Sequence, residues 1–416
     1  MTTVGISAPG LPLAGSEAAV TSPATRRSGS IDIFRGITMA VMIFVNDLAS
    51  VHGMPWWTEH APARLDEMTY VDMVFPFFLF AVGLSLPLSV AQRLRRNLSQ
   101  PALWWHIVTR AIALIVLGLI LANAEKTTQM GISGSTWGIL GLLCASLYLG
   151  VYGKSDRARN IGRILRIAGF VGVVILLVIY RRVTPSGQTA WIDFSYPEIL
   201  GLIGCSYLAI SVLYVPTRRW TWAPTAWFVL LTAFNAFSSA HWINFPNRLP
   251  ILLWPYNNGA MCSIMMAGIM VSSLFLSVNH APAPHKATWT ALGFAALAFA
   301  AGRLLTPLGI SKIRATPTWS LYCIGAAVLL FALFYWLCDV KHWQRWAALV
   351  RPGGENTLLT YLLPDLWYFA LSAAGVTYLK MHWNAGWPGV ARAVVFTLLI
   401  LVVSGMLTRA KVRLQL

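Results

Sequence analysis

The stretch Trp56-Trp57-Thr58-Glu59-His60-Ala61-Pro62 sets an imidazole and a carboxylate behind two tryptophans, between two long apolar runs. A neutral imidazole near pH 7 can take up a proton or attack an electrophile, and a neighbouring carboxylate orients it. Acids gather around this histidine. The chain has 14 acidic residues, and Asp32, Asp47, Glu59, Asp66, Glu67 and Asp72 all fall within its first 72 positions. Asn46 and Asp47 close the outer end of one apolar run, and Asp72 lies one turn into the next. Ionisable groups inside a membrane helix are costly and usually face a cavity or a partner. His60 and Asn46 are therefore the candidate catalytic residues, with Asp47, Glu59 and Asp72 as orienting groups. The alternative for Asp32 and Asp72 is that they only cap or staple helix ends. Asp32 and Arg35, three residues apart, share a helix face and can pair.

Other chemistries lack their motifs. The chain has no HExxH, no paired-carboxylate spacing and no G-x-S-x-G, which speaks against metalloprotease and serine hydrolase readings. Its five cysteines form no CxxC pair and lie in or beside apolar stretches, so neither a metal site nor a disulfide framework is expected.

Composition decides what must position these residues. Of 416 residues, 57% are hydrophobic and only 11% charged, with a mean hydropathy of +0.64. So little polar surface cannot cover a water-soluble body of this size. Apolar runs of bilayer-crossing length recur at about 31–50, 70–92, 103–123, 136–153, 164–183, 198–215, 222–241, 258–278, 288–309, 317–337, 355–379 and 387–407. The expectation is an all-α polytopic helical membrane protein with about twelve spans (ten to twelve). With the N-terminus inside, twenty of the 31 basic residues fall on inside segments and eight on outside ones; Arg110, Arg303 and Arg392 lie within spans. That bias puts both termini in the cytoplasm, and it accounts for the +17 charge without nucleic acid as a partner. Residues 1–30 read as a flexible cytoplasmic tail without a secretory signal peptide. Residues 31–407 read as one transmembrane domain and 408–416 as a basic tail. An echo between ILGLLCASLYLGVY (139–152) and ILGLIGCSYLAISVLY (199–214) is read as helix packing through small residues.

SIDIFRGITMAVMIFVND, the WWTEHAP loop and MTYVDMVFPFFLFAVGLS together resemble the start of the heparan-alpha-glucosaminide N-acetyltransferase family, and more closely its bacterial DUF5009 or NagX-type members. RAIALIVLGLIL (110–121) and GGENTLLTYLLPDLWY (353–368) extend the resemblance. It implies transfer of an acetyl group from cytoplasmic acetyl-CoA, as co-substrate, to the amine of an extracytoplasmic amino sugar. The family's catalytic histidine falls on His60 and the asparagine beside it on Asn46. Candidates for the acyl-CoA are Asp32, Arg35, Arg93 and Arg351 on the basic side, with Asn356 and Tyr361 in the late span. Trp57, Asn257 and Asn258 are candidates for the acceptor. A bacterial inner membrane is the expected location, no metal is expected, and a homodimer is left open.

Moving only the acetyl group spares the multiply charged nucleotide a passage through hydrocarbon. The family's Leu-Gln-Arg motif is missing, since the corresponding stretches read WGILGLLC and EILGLIGC. The contrasting reading is a permease for N-acetylglucosamine or a related amino sugar, with Pro76, Pro87, Pro307 and Pro364 as candidate helix breaks.

Overall fold

A computed structural model describes residues 29–153, 155–243, 258–276, 283–376, 378 and 382–415. Among them the chain is helical but for short turns and a two-residue hairpin, Arg182–Val183 against Thr189–Ala190. The helices are α1 (Gly29–Leu48), α2 (Val71–Arg95), α3 (Gln100–Ala124), α4 (Gly134–Leu149), α5 (Asp156–Ile179), α6 (Glu198–Thr217) and α7 (Ala223–Ser239). They continue with α8 (Ala260–Leu276), α9 (Pro284–Leu304), α10 (Pro317–Tyr335), a single turn α11 (Arg351–Glu355), α12 (Thr357–Ala373) and α13 (Gly386–Arg409). A helix thus covers most of each apolar run. Seven of those described are long and apolar enough to cross a membrane, so this is a helical membrane protein.

Helix starts follow local chemistry. The hydroxyls of Ser99, Ser133 and Ser155 accept from the backbone N–H groups of Ala102, Thr136 and Ala158 at 3.4, 3.1 and 3.3 Å, satisfying donors that a first turn leaves open. Prolines do not break the helices where the permease reading needs them to. α2 runs unbroken through Pro76 and Pro87, and α12 through Pro364; only Pro307 sits at a helix end.

Packing places α1 at the centre, against α2, α10, α11, α12 and α13. Its flanks meet an aromatic group in which Phe34 lies 5.9 to 6.3 Å from Phe77, Phe80, Phe331 and Phe334. α5, by contrast, buries only Gly162, Gly169 and Leu176 and exposes Ile164, Ile167, Phe170 and Val178, the outward apolar face of a lipid-contacting helix. Without a hydrophobic drive between helices in lipid, close approach depends on small residues. Gly83 of α2 faces Gly268 of α8, and Gly118 of α3 faces Gly201 of α6. The two echoed segments, α4 and α6, both pack on α3, with Gly141 against Ile120 and Gly204 against Leu114. The echo is a shared way of docking on one helix.

The tightest approach is α1 on α11. A Cβ at Gly354 would run into the Asp32 backbone carbonyl and come within 3.0 Å of the Gly36 nitrogen. Gly354→Val should therefore lower the thermal unfolding midpoint in detergent, at an overpacking cost of about 1–3 kcal/mol. Gly293→Ala, where a Cβ meets nothing within 4 Å, should leave that midpoint unchanged or slightly raised.

Candidate functional site

The site grows from one carboxylate. Asp72 stands in the first turn of α2 and is fully buried. Its Oδ2 accepts from the backbone N–H of Thr69 at 3.0 Å and of Ala61 at 3.3 Å. Its Oδ1 accepts from Nδ1 of His60 at 2.7 Å. The Thr69 hydroxyl donates to the Glu59 carbonyl at 2.8 Å, and the Trp319 indole donates to the Asp72 carbonyl at 3.1 Å. The loop is thus folded back onto the helix start, with a 3-10 turn at Trp56–Thr58 ahead of it. His60 keeps 47% of its side chain exposed while its partner has none. Nδ1 is anchored, and Nε2 lies on the opposite edge of the ring. Because a carboxylate only accepts, Nδ1 carries the proton and Nε2 is the basic nitrogen of a neutral ring.

A residue that sequence reasoning missed completes the group. Lys312, from the 305–316 connection, places Nζ 3.2 Å from Nε2 and 3.3 Å from Nδ1 of His60. Burial pushes its ammonium below the usual lysine range, against the pull of Asp72 and Glu198. Lys312 is one of the few basic residues that the charge count put outside, which was the only signal available. The connection is fastened in turn. Arg314 pairs with Asp66 of the first loop, which also accepts from the Ile310 N–H at 3.3 Å beside Gly309 at φ +87. The Ala315 carbonyl accepts from the side-chain amides of Asn235 and Asn258 at 3.0 and 3.3 Å.

Of the four neighbours expected around His60, the structure brings only Asp72 to it. Asp47 turns the other way. Its Oδ2 accepts from Arg392 Nε at 3.1 Å, Arg392 also donates to its carbonyl at 3.0 Å, and Tyr368 hydrogen-bonds its other oxygen. Asn46 is exposed, and no hydrogen bond links its side chain to a described residue. Glu59 contributes its carbonyl, with its side chain exposed. Trp57 is half-exposed, tilted on Tyr70 at 6.2 Å. Asn258 holds a backbone carbonyl, and Asn257 lies outside the described residues.

The donor candidates scatter. Arg35 hydrogen-bonds Ser85 of α2, and Asp32 is buried beside it on α1. Arg93 meets His106 of α3. Arg351 bonds Glu355 at 3.0 Å and Gln344 at 3.5 Å. The Asn356 amide holds the C-terminal segment, giving to Thr408 at 3.2 Å and to the Val412 carbonyl at 2.9 Å, and taking from Leu414 N–H at 3.2 Å. Tyr361 is buried in α12. Among the described residues, no three His, Cys, Asp or Glu side chains stand close enough to hold a metal.

The family model described as "Domain of unknown function (DUF5009)" matches residues 27–243, just over half of the sequence, with His60 and Asp72 inside the match. The chain belongs to the DUF5009 family. It is also similar to heparan-alpha-glucosaminide N-acetyltransferase of Mus musculus, 37% identical over 106 residues, and to the Homo sapiens protein of that name, 38% identical over 97. Those matches take in 24% and 23% of this chain, and only 15% and 14% of the two relatives. The family resemblance carried by the first two helices is thereby borne out.

The Asp66–Arg314 clasp makes a pH prediction. Its hydrogen bond with Arg314, then that from Ile310, holds the Asp66 carboxyl below its ordinary range. A depressed carboxyl stabilises the folded state above its unfolded pKa of about 3.9 and stops doing so as pH falls through the lower folded value. Protection of the 305–316 amides, taken relative to the intrinsic exchange rate at each pH, should therefore fall on acidification below about pH 4. Asp66→Asn should show that lower protection already at pH 7.

Proposed function

We propose that this chain is an integral-membrane acetyltransferase that moves an acetyl group from cytoplasmic acetyl-CoA to the amine of an extracytoplasmic amino sugar. Supporting this are the similarity to named N-acetyltransferases and, above all, the half-exposed His60 held by a buried Asp72. In the same reading the chain crosses a bacterial inner membrane twelve times, with both termini cytoplasmic.

The chemistry follows from the ring's tautomer. Asp72 fixes Nδ1–H and stabilises the positive charge that appears when Nε2 takes a proton. The sugar ammonium gives a proton to Nε2, and the freed amine attacks the thioester carbonyl. A C–N bond forms, the C–S bond breaks, and the thiolate leaves and takes a proton. Lys312, at 3.2 Å from Nε2, replaces Asn46 as the nearest donor for the oxyanion that develops. The carboxylate behind the histidine suits general-base action. Arg35, on the inner half of α1, and Arg351 remain the residues proposed to face the donor.

His60→Ala should lower acetyl-CoA-dependent acetylation of glucosamine in sealed vesicles by roughly 10²–10⁴-fold. Asp72→Asn should cause a loss of similar order by disturbing the tautomer. Full activity in His60→Ala would sink the assignment. Uptake of labelled N-acetylglucosamine by wild-type vesicles without acetyl-CoA would instead favour a permease.

A further inference from the structure

At the far end of α2 from His60 lies a second cluster of charge with a different character. Arg93 is 21 residues beyond Asp72 on the same helix, about 30 Å at 1.5 Å per residue. It lines a cavity of about 370 Å³ with His106, Arg110, Arg166, Gly150 and Gln415, a volume within the range of small-ligand sites. Three arginines line this space, and none of its described lining residues is acidic.

The guanidinium groups are left wanting acceptors. Arg93 donates to Nε2 of His106, which fixes that imidazole as neutral there and so supplies no counter-charge. Arg110 stacks its guanidinium over the Tyr207 ring at 4.9 Å. Arg166 lies over Tyr152 at 5.5 Å and reaches the Gly150 carbonyl at 3.3 Å. Aromatic faces and one carbonyl accommodate the cations without neutralising them. Nε of Arg93 and Nε of Arg110 are buried and meet no acceptor among the described residues. Arginine does not escape by losing its proton, so two half-buried guanidinium groups whose Nε atoms meet no acceptor favour an anion. Arg110 also interrupts an otherwise apolar stretch of α3 (Gln100–Ala124), where a charge without a partner is disfavoured.

We propose that this cavity binds a phosphate-bearing ligand, its phosphate oxygens taken by Arg93, Arg110 and Arg166. The planar fork of arginine matches phosphate oxygens in pairs. Apolar Ala113, Leu149 and Val151 line the rest of the space, so the ligand carries an apolar or stacking portion beside its phosphate. Two sources have that chemistry, the nucleotide end of coenzyme A and the headgroup of an anionic phospholipid. The coenzyme A source rests on the acetyltransferase reading above, and the phospholipid source does not.

The test uses purified full-length protein, with coenzyme A titrated by calorimetry in zwitterionic detergent and phosphatidylglycerol retention followed by native mass spectrometry. One of the two probes should bind wild type with an affinity that falls as salt rises. Arg110→Gln should weaken that probe about tenfold or more, the scale of one charge-assisted contact. Arg110→Lys should recover part of the loss. Arg166→Gln, at an exposed position where folding is not at stake, should weaken it as well. Coenzyme A as the responding probe identifies the nucleotide source, and phosphatidylglycerol the lipid. His60→Ala should bind like wild type whether or not the acetyltransferase reading stands. The proposal is overturned if neither probe binds, or if a probe binds wild type and the monodisperse glutamine variants equally.

Discussion

The burial of the Asp72 carboxylate is the condition on which the rest of the His60 site depends. A charged oxygen pair with no exposure to solvent is tolerated only when its lone pairs are filled. Two backbone N–H groups of the preceding loop and the ring of His60 fill them. The loop therefore cannot leave the helix end without exposing or orphaning that carboxylate. Position and tautomer of the imidazole are fixed by the same requirement. One set of hydrogen bonds both closes the helix start and holds the imidazole, so a capping role for Asp72 does not exclude a functional one.

A second buried carboxylate solves the same problem differently. Asp47, at the end of α1, is met by Arg392 of α13 and Tyr368 of α12. Its partners come from distant helices instead of from its own loop, so it ties the late part of the bundle to α1. Asp72 ties loop to helix, and Asp47 ties helix to helix. Only the first leaves a titratable group half in solvent. That difference separates a site capable of proton transfer from a structural ion pair, though the two acids look alike in sequence.

Between the two faces, α1 and α2 carry polar groups near both of their ends and aromatic packing in between. Phe34 and its ring partners pack between the helices, and Arg35, the next residue, bonds Ser85 of α2. The far end of α2 adds a basic cavity with no acidic residue among its described lining residues. The two ends of α2 thus differ in charge, with a histidine held by an acid at one and a cluster of cations at the other.

Sequence alone determined the class and the helices, because an apolar run long enough to cross a bilayer has no stable backbone state there except a hydrogen-bonded helix. It also singled out His60 and Asp72, which lie 12 residues apart, near enough along the chain for one loop to bring them together. It grouped Asn46, Asp47 and Glu59 with them because all lie close along the chain. Only the tertiary structure decided which way each side chain points: Asp47 to Arg392, Glu59 and Asn46 outward. Lys312 joins His60 from 252 positions away, and Arg93, Arg110 and Arg166 converge from three different helices. Contacts of that kind are set by how helices pack, through glycines that admit a neighbour's backbone, and no local periodicity records them.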